Sequence, residues 1–228
     1  DTTNTLNNND NNDQINAGTG NNKIFGGAGD DAIDSDSVSE NIIFGDGGEI
    51  TLNAADAVVF AQSRRDDEGG VDTIVVTAGV NHIFGGREGD TITIETGADH
   101  TVVVGDNGEI TYSETGVLIS SSDLLAASAG NDTITTQDGN DYVIGGFGED
   151  TINTNSGDDI VMADQGTMIF TVDNVLTSII GIADDVNDGI DTINSGAGRA
   201  VIIGGGKGDD IDSTSVDADN LIIGDGGA

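Results

Sequence analysis

Four double glycines set the frame of this chain. Phe25-Gly26-Gly27, Phe84-Gly85-Gly86, Ile144-Gly145-Gly146 and Ile203-Gly204-Gly205 place their first glycines 59, 60 and 59 residues apart. Thirteen positions ahead of each lie Asp13-Gln14-Ile15, Asp72-Thr73-Ile74, Asp132-Thr133-Ile134 and Asp191-Thr192-Ile193. A third landmark, Phe44-Gly45-Asp46, Val104-Gly105-Asp106, Met162-Ala163-Asp164 and Ile223-Gly224-Asp225, keeps nearly the same stride. Three landmarks in register four times define a tandem repeat. Such units bury their apolar residues by stacking on one another rather than by closing a globule.

A finer period of nine runs inside each unit. In the first it gives Asp13, Asn22, Asp31 and Glu40, with Ile15, Ile24, Ile33 and Ile42 two positions later. The second unit has Asp72, Asn81, Asp90 and Asp99, with Ile74, Ile83, Ile92 and Val102 as the aliphatic counterparts. The third has Asp132, Asp141, Asp150 and Asp158, with Ile134, Val143, Ile152 and Ile160, its last step slipping by one; the fourth has Asp191, Asp209 and Asp219, with Ala200 in place of an acid and Arg199 beside it. A turn plus a short strand fills nine residues, so two nonamers complete one coil. Asp13 then faces Asp31 on one edge, Asn22 faces Glu40 on the other, and the aliphatics stack inward. The expected fold is all-β: a right-handed parallel β-roll or β-helix solenoid of stacked nonameric half-turns, carrying four super-repeats.

The expected units are 1–66, 67–126, 127–186 and a truncated 187–228, with rolls at 8–46, 67–106, 127–164 and 187–225, in one continuous solenoid. Between the rolls, about 47–70, 107–130 and 165–189, lie glycine-poor segments such as Met168-Ile169-Phe170-Thr171-Val172. They read as extended rungs or hairpins, with a helical turn allowed near 121–129.

Charge decides what must hold such a chain together. Forty-two acids, 34 of them Asp, stand against six Lys and Arg, for a formal charge of -36, and only 35% of residues are apolar. Burying an aliphatic side chain contributes about 1.5 to 3 kcal/mol, whereas ordering each residue costs about 1 to 2 kcal/mol. One aliphatic in nine cannot balance that cost, so cations among the carboxylates must supply the difference. The same charge repels nucleic acid and anionic lipid. No apolar run reaches the roughly 20 residues of a membrane span.

The stretches Gly26-Gly27-Ala28-Gly29-Asp30-Asp31-Ala32-Ile33 and Gly145-Gly146-Phe147-Gly148-Glu149-Asp150-Thr151-Ile152 fit G-G-x-G-x-D-x-U in full, U being a large aliphatic. At these residues the chain resembles the RTX (repeats-in-toxin) family of secreted bacterial proteins. The resemblance implies a calcium-bound parallel β-roll, export by a type I secretion system and folding outside the cell. Its calcium ligands would be the acids and asparagines of the nonamers, with backbone carbonyls near Gly26, Gly27, Gly29, Gly85, Gly86, Gly145, Gly146, Gly148, Gly204 and Gly205, and with Asp46, Asp106, Asp164 and Asp225 as further acids. Calcium suits such corners because it accepts six to eight hard oxygens in a tolerant geometry. GGREGD at 85–90 and GGGKGD at 204–209 carry a charged residue where the fourth glycine belongs, so weaker sites are expected there, and none beside Ala200 and Arg199.

Enzyme chemistry finds no support. His82 and His100 lack a zincin spacing and read as solvated turn residues; no G-x-S-x-G elbow occurs; paired acids such as Asp30-Asp31 recur with the rung, whereas an active site is used once. Arg64-Arg65 pairs with the adjacent Asp66-Asp67-Glu68. Carbohydrate binding through the inserts has no aromatic platform beyond Tyr112 and Phe170. By contrast Phe25, Phe84, Ile144 and Ile203 form an outward apolar row that needs a cover, supplied either by the inserts or by a neighbouring chain. Absence of cysteine suits an exported chain stapled by metal rather than disulfides. Asp1-Thr2-Thr3-Asn4 is no signal peptide, and an excerpt of a longer array is expected. The reading is a calcium-stabilised structural segment of a secreted surface or matrix protein, partnered by calcium ions and by neighbouring repeats or copies. The alternative is an RTX export and folding module of a secreted hydrolase or toxin.

Overall fold

A computed structural model describes residues 2–5, 12–63, 69–96, 100–121, 130–182, 187–214 and 219–225. Every regular element among them is a strand, and no helix long and apolar enough to cross a membrane occurs there. The first unit carries β1 (Thr2–Thr5), β2 (Gln14–Ala17), β3 (Asn22–Phe25), β4 (Ala32–Ser35), β5 (Glu40–Phe44), β6 (Gly48–Leu52) and β7 (Val58–Ser63). The second carries β8 (Thr73–Val76), β9 (Val80–Phe84), β10 (Thr91–Ile94), β11 (His100–Val104), β12 (Gly108–Ser113) and β13 (Gly116–Ser121). The third has β14 (Thr133–Thr135), β15 (Tyr142–Ile144), β16 (Thr151–Asn153), β17 (Asp159–Met162), β18 (Gly166–Phe170) and β19 (Leu176–Gly181). The last has β20 (Thr192–Asn194), β21 (Ala200–Gly205), β22 (Asp210–Asp212) and β23 (Leu221–Asp225).

Among the described residues these strands form three sheets. The first runs β1-β3-β5-β9-β11-β15-β17-β21-β23 and the second β2-β4-β8-β10-β14-β16-β20-β22; all their pairings are parallel, and the chain passes from one sheet to the other at each corner. Both are stacks of short rungs, as the nonamer requires. Their facing sides hold the inner core, with Ile15, Ile33, Ile74, Ile92, Ile134, Ile152 and Ile193 in the second sheet opposite Ile24, Ile43, Ile83, Val103, Val143, Val161 and Ile202 in the first. On the second sheet Val76 and Ile94 add a second inward residue to their rungs. The outer side of the second sheet is mostly polar, with Thr73, Thr91, Thr133, Thr151 and Thr192 in register along it.

Three inserts form the third sheet, ordered β19-β18-β13-β12-β7-β6 and antiparallel throughout. They are hairpins, one per coil pair. Neighbouring hairpins are latched at their bases, where the amides of Gly108 and Gly166 donate to Ser63 Oγ at 2.8 Å and Ser121 Oγ at 2.9 Å. Their inner row, Ile50, Ala61, Ile110, Ile119, Met168 and Ile179, lies in register across all six strands. It packs in a second core with Phe44, Phe84, Val104, Ile144 and Met162 on the outer side of the first sheet. The predicted row is therefore covered by the chain's own inserts: Phe84 and Ile144 are fully buried, Phe25 and Ile203 half-buried.

Three aliphatics expected to point inward point outward instead. Ile42, Val102 and Ile160 belong to the second core, and Ile43, Val103 and Val161 take the inner positions. Ser35 to Asn41 spans one residue more than Ala17 to Asn22, and Ile94 to Thr101 two more, so the register advances before β5 and β11. A slip of one residue moves every side chain to the other face. From Asp150, a full nine-residue step reaches Asp159, not Asp158.

Candidate cation-binding corners

Immediately before each strand of the second sheet stands an aspartate: Asp13, Asp31, Asp72, Asp90, Asp132, Asp150, Asp191 and Asp209. The amide of each donates to Oδ1 of the next one along the axis, Asp13 to Asp31 and Asp31 to Asp72 at 2.7 Å, Asp72 to Asp90 at 2.8 Å, Asp90 to Asp132 at 2.7 Å, Asp132 to Asp150 at 2.8 Å, Asp150 to Asp191 at 2.7 Å and Asp191 to Asp209 at 3.1 Å. One oxygen of each carboxylate from Asp31 onward is thereby spent on the backbone. The second is not: Oδ2 of Asp31, Asp72, Asp90, Asp150 and Asp191 is buried with no hydrogen-bond donor.

What faces those oxygens explains the glycines. A Cβ on Gly26 would strike Asp31 Oδ2 and the Gly45 carbonyl oxygen; on Gly45, Asp72 Oδ2 and the Gly85 carbonyl; on Gly85, Asp90 Oδ2 and the Gly105 carbonyl. Gly105 meets Asp132 and the Gly145 carbonyl, and Gly145 meets Asp150 and the Ala163 carbonyl, in the same way. Glycine keeps the cradle open. Gly27, Gly86, Gly146 and Gly205 follow at φ between 113° and 128°, where a side chain would be strained. The fourth position of the turn is also left-handed, at Gly29 and Gly148 and equally at Glu88 (φ 65°) and Lys207 (φ 57°). The two departures from the glycine pattern keep the turn shape and accept its strain.

Burial makes this column electrostatically expensive. It pushes Asp31 up to about 6, Asp191 up to about 7 and Asp72 up to about 8, with neighbouring carboxylates adding to the rise. Asp90 and Asp150 lie well above the usual carboxylate range for the same reasons, burial first and then Asp132. Stacked carboxylate oxygens beside convergent carbonyls form a hard-oxygen donor set that fits calcium. Among the described residues no three His, Cys, Asp or Glu side chains converge on one point. Carbonyls must complete any shell.

The opposite edge is chemically different. Its buried line is Asn22, Asn41, Asn81, Thr101, Asp141, Asp159 and Ala200. Asn22 Nδ2 donates to Asn41 Oδ1 at 3.1 Å, Asn41 Nδ2 to Asn81 Oδ1 at 2.8 Å and Asn81 Nδ2 to Thr101 Oγ1 at 3.4 Å, a neutral amide ladder that needs no ion. Among the described residues of this line, carboxylates enter only at Asp141 and Asp159, raised by burial to about 6 and about 7, with the Asp141 amide on Asp159 Oδ1 at 3.0 Å. Glu40, Asp158 and Asp219, expected here, are exposed instead, each one position ahead of the ladder residue Asn41, Asp159 or Asn220. Asp158 Oδ1 accepts the Arg199 amide on the outer rim, and Asn220 Oδ1 the Ala200 amide. Asp99 and Arg64-Arg65 lie outside the described residues, as does the side chain of Asp225.

Asp46, Asp106 and Asp164 hold backbone rather than extend the column. Oδ2 accepts the third amide of the next short glycine turn, from Arg87 at 2.7 Å, Phe147 at 2.6 Å and Gly206 at 2.6 Å. Oδ1 accepts the amides of Gly70, Gly130 and Gly189 after each insert, at 3.2, 3.4 and 3.4 Å. Each carboxylate thus ties the base of a hairpin to a glycine turn. Sequence reasoning missed Asp188, fully buried and close enough to Asp164 and Asp191 to raise both. His82 and His100 are not solvated turn residues: they sit in β9 and β11, and His82 is buried with Nε2 at 2.7 Å from the Tyr112 hydroxyl.

A family model described as the RTX calcium-binding nonapeptide repeat matches in four copies, at residues 7–38, 67–100, 120–152 and 135–167, together half of the chain. No curated protein and no solved structure gives a match.

Proposed function

The chain belongs to the RTX calcium-binding repeat family, and on that premise we propose that it is a calcium-stabilised structural segment of a large secreted bacterial surface or matrix protein. It gives length and stiffness to an adhesin, an extracellular filament or a surface layer. One observation carries this reading: the same carboxylate-and-carbonyl corner recurs in coil after coil, so the site is distributed along the whole axis, as a scaffold uses it. Ions would be held by Asp31, Asp72, Asp90, Asp132, Asp150, Asp191 and Asp209 with the glycine carbonyls, and by Asp141 with Asp159. Calcium supplies positive charge between coils. The chain's own residues supply the rest: aspartate Oδ1 fixes each rung to the next, Oδ2 presents the anionic oxygen, and glycine makes room.

Four units, 1–66, 67–126, 127–186 and 187–228, form one continuous solenoid in this reading. Their hairpins stiffen one face, since each pairs with the next and packs on the rungs beneath. Export by type I secretion and folding outside the cell are what membership of this family implies, and the charge fits them by keeping the metal-free chain open where calcium is scarce. Circular dichroism with calcium and then with chelator tests the first half, and electron microscopy of the calcium form tests the second. A chain that keeps its strands without calcium, or calcium-loaded particles that never exceed a single short rod in any longer array, would count against it.

A further inference from the structure

Departures from the repeat gather at one place. The outward column of the first sheet reads Lys23, Ile42, His82, Val102, Tyr142, Ile160 and Val201 in register, apolar except where it carries Lys23 and His82. The chain has two histidines and two tyrosines in all, and His82, His100, Tyr112 and Tyr142 line a single cleft of about 340 Å3 between the first sheet and the hairpins. A scaffold position repeats; these four do not.

The cleft is built rather than merely open. Tyr142 stacks on Phe170 with centroids 4.3 Å apart and meets the His100 ring edge-on at 4.3 Å. His100 Nδ1 is held 2.5 Å from the Asn140 carbonyl oxygen. His82 Nε2 is paired with the Tyr112 hydroxyl, which leaves His82 Nδ1 buried without a partner. Whichever of the pair donates, one ring nitrogen is an unmet donor or acceptor. Glu40, Asp56 and Lys23 join the lining, two carboxylates against one ammonium; burial first, and then the Glu40 charge, pushes the Tyr112 hydroxyl up. Burial lowers His82 to about 4 and lowers His100 as well, so neither ring offers a positive charge at pH 7.

We propose that this cleft binds a small organic ammonium ion, its apolar body against Tyr112, Val58 and Val80 and its charge toward Glu40 and Asp56. An anion would meet two carboxylates in the field of a chain of charge -36. Aromatic walls tolerate a cation better than aliphatic ones do. Neutral imidazoles add hydrogen-bonding atoms without adding repulsion.

The chain lacks tryptophan and both tyrosines line the cleft, so tyrosine emission of the calcium-loaded protein reports occupancy directly. It is titrated with cyclohexylmethylammonium, cyclohexylmethanol, cyclohexanecarboxylate and methyl glucoside, with far-UV circular dichroism on the same samples to separate loss of fold from loss of the cleft. Saturable binding of the ammonium, at least about tenfold tighter than the alcohol, is expected, with no response to the carboxylate. Glu40→Gln, at an exposed position, weakens it about threefold and the double change with Asp56→Asn about tenfold, without altering the dichroism. Lys23→Gln strengthens it by removing the competing charge. Equal binding of the alcohol or the glucoside, indifference to Glu40→Gln and Asp56→Asn, or no saturable response to any of the four overturns the assignment.

Discussion

The amide of Asp90 donates to Oδ1 of Asp132 at 2.7 Å, although the two stand 42 positions apart and a complete hairpin is inserted between them. Asp72 and Asp90, 18 positions apart, meet at 2.8 Å in the same way. The solenoid therefore takes no account of its inserts. At this edge the aspartate before each strand adds a side-chain link to the parallel ladder, and the hairpin is looped out between two residues that the ladder pairs in any case. This places the chain's polar order and its apolar order on different surfaces: the carboxylates at the edge, the phenylalanine row beneath the hairpins.

Two neighbouring acids should separate on removal of charge. Asp72→Asn keeps the Oδ1 that accepts from Asp31 but loses the anionic Oδ2, so one fewer calcium ion should be counted by native mass spectrometry, and more calcium should be needed for half-folding. Asp46→Asn keeps the ion count and loses one good acceptor for the Arg87 or Gly70 amide, costing about 1 to 3 kcal/mol. Equal ion loss in both variants would show that Asp46 is a ligand after all.

Acid should partly replace calcium. In the metal-free fold the buried carboxylates of both edges have raised pKa values, about 6 at Asp31, about 7 at Asp191 and about 8 at Asp72 in the column and about 7 at Asp159 opposite, against an ordinary 3.8. The folded state binds these protons more tightly than the open chain. Their contribution to stability is thus fully present below about 4 and is lost as pH rises through about 6 to 8. Metal-free protein should gain strand signal on acidification, measured at low concentration because the pI is near 4.1. In the calcium-loaded protein protons compete instead, and the calcium needed for half-folding should increase as pH falls from 8 to 6.

The fourth residue of the short turn offers a stabilising change. Glu88 and Lys207 hold φ of 65° and 57°, where glycine stands in the other two copies. Left-handed backbone costs a residue with a Cβ about 1 to 2 kcal/mol, offset in part by the freer unfolded chain of glycine. Glu88→Gly and Lys207→Gly should each raise stability in calcium by about 0.5 to 1 kcal/mol by urea denaturation. Gly145→Ala should do the reverse and far more strongly, since its Cβ would meet the Ala163 carbonyl and Asp150 Oδ2 together.

Periodicity made much of this legible. Asp13, Asp31, Asp72, Asp90, Asp132, Asp150, Asp191 and Asp209 were all in the expected line because the corner on their edge is set by glycines at fixed spacing. The opposite edge was misread at Glu40, Asp158 and Asp219 because nothing in the sequence announces the longer turns before Asn41 and Asn220, and because Asp158-Asp159 offers two acids where the nine-residue step selects the second. His82 was misread for a different reason. Its burial depends on a hairpin that returns over the first sheet 30 positions later to bring up Tyr112, a non-local pairing that no window of the sequence contains.

The apolar cover is the part whose loss can be felt at a distance. Phe25, Phe44 and Phe84 stack face to face at 4.9 and 4.8 Å, so that each ring spans one rung, and Gly48 starts the first hairpin directly over the Phe44 ring. Phe84 has no exposed surface, whereas Phe25 is half-buried at the end of the stack. Phe84→Ala should cost about 3 to 5 kcal/mol, the range for removing a buried aromatic ring, and Phe25→Ala clearly less. Because the column of aspartates lies on the edge rather than beneath the hairpins, the calcium count of Phe84→Ala should be unchanged. Hydrogen exchange should rise first at 58–63 and 108–113, which pack over Phe84 and its neighbours, while the amides of Asp72 and Asp90 remain protected. If exchange rises equally at the hairpins and along the aspartate ladder, the two surfaces are one cooperative unit and the separation argued from Asp90 and Asp132 fails.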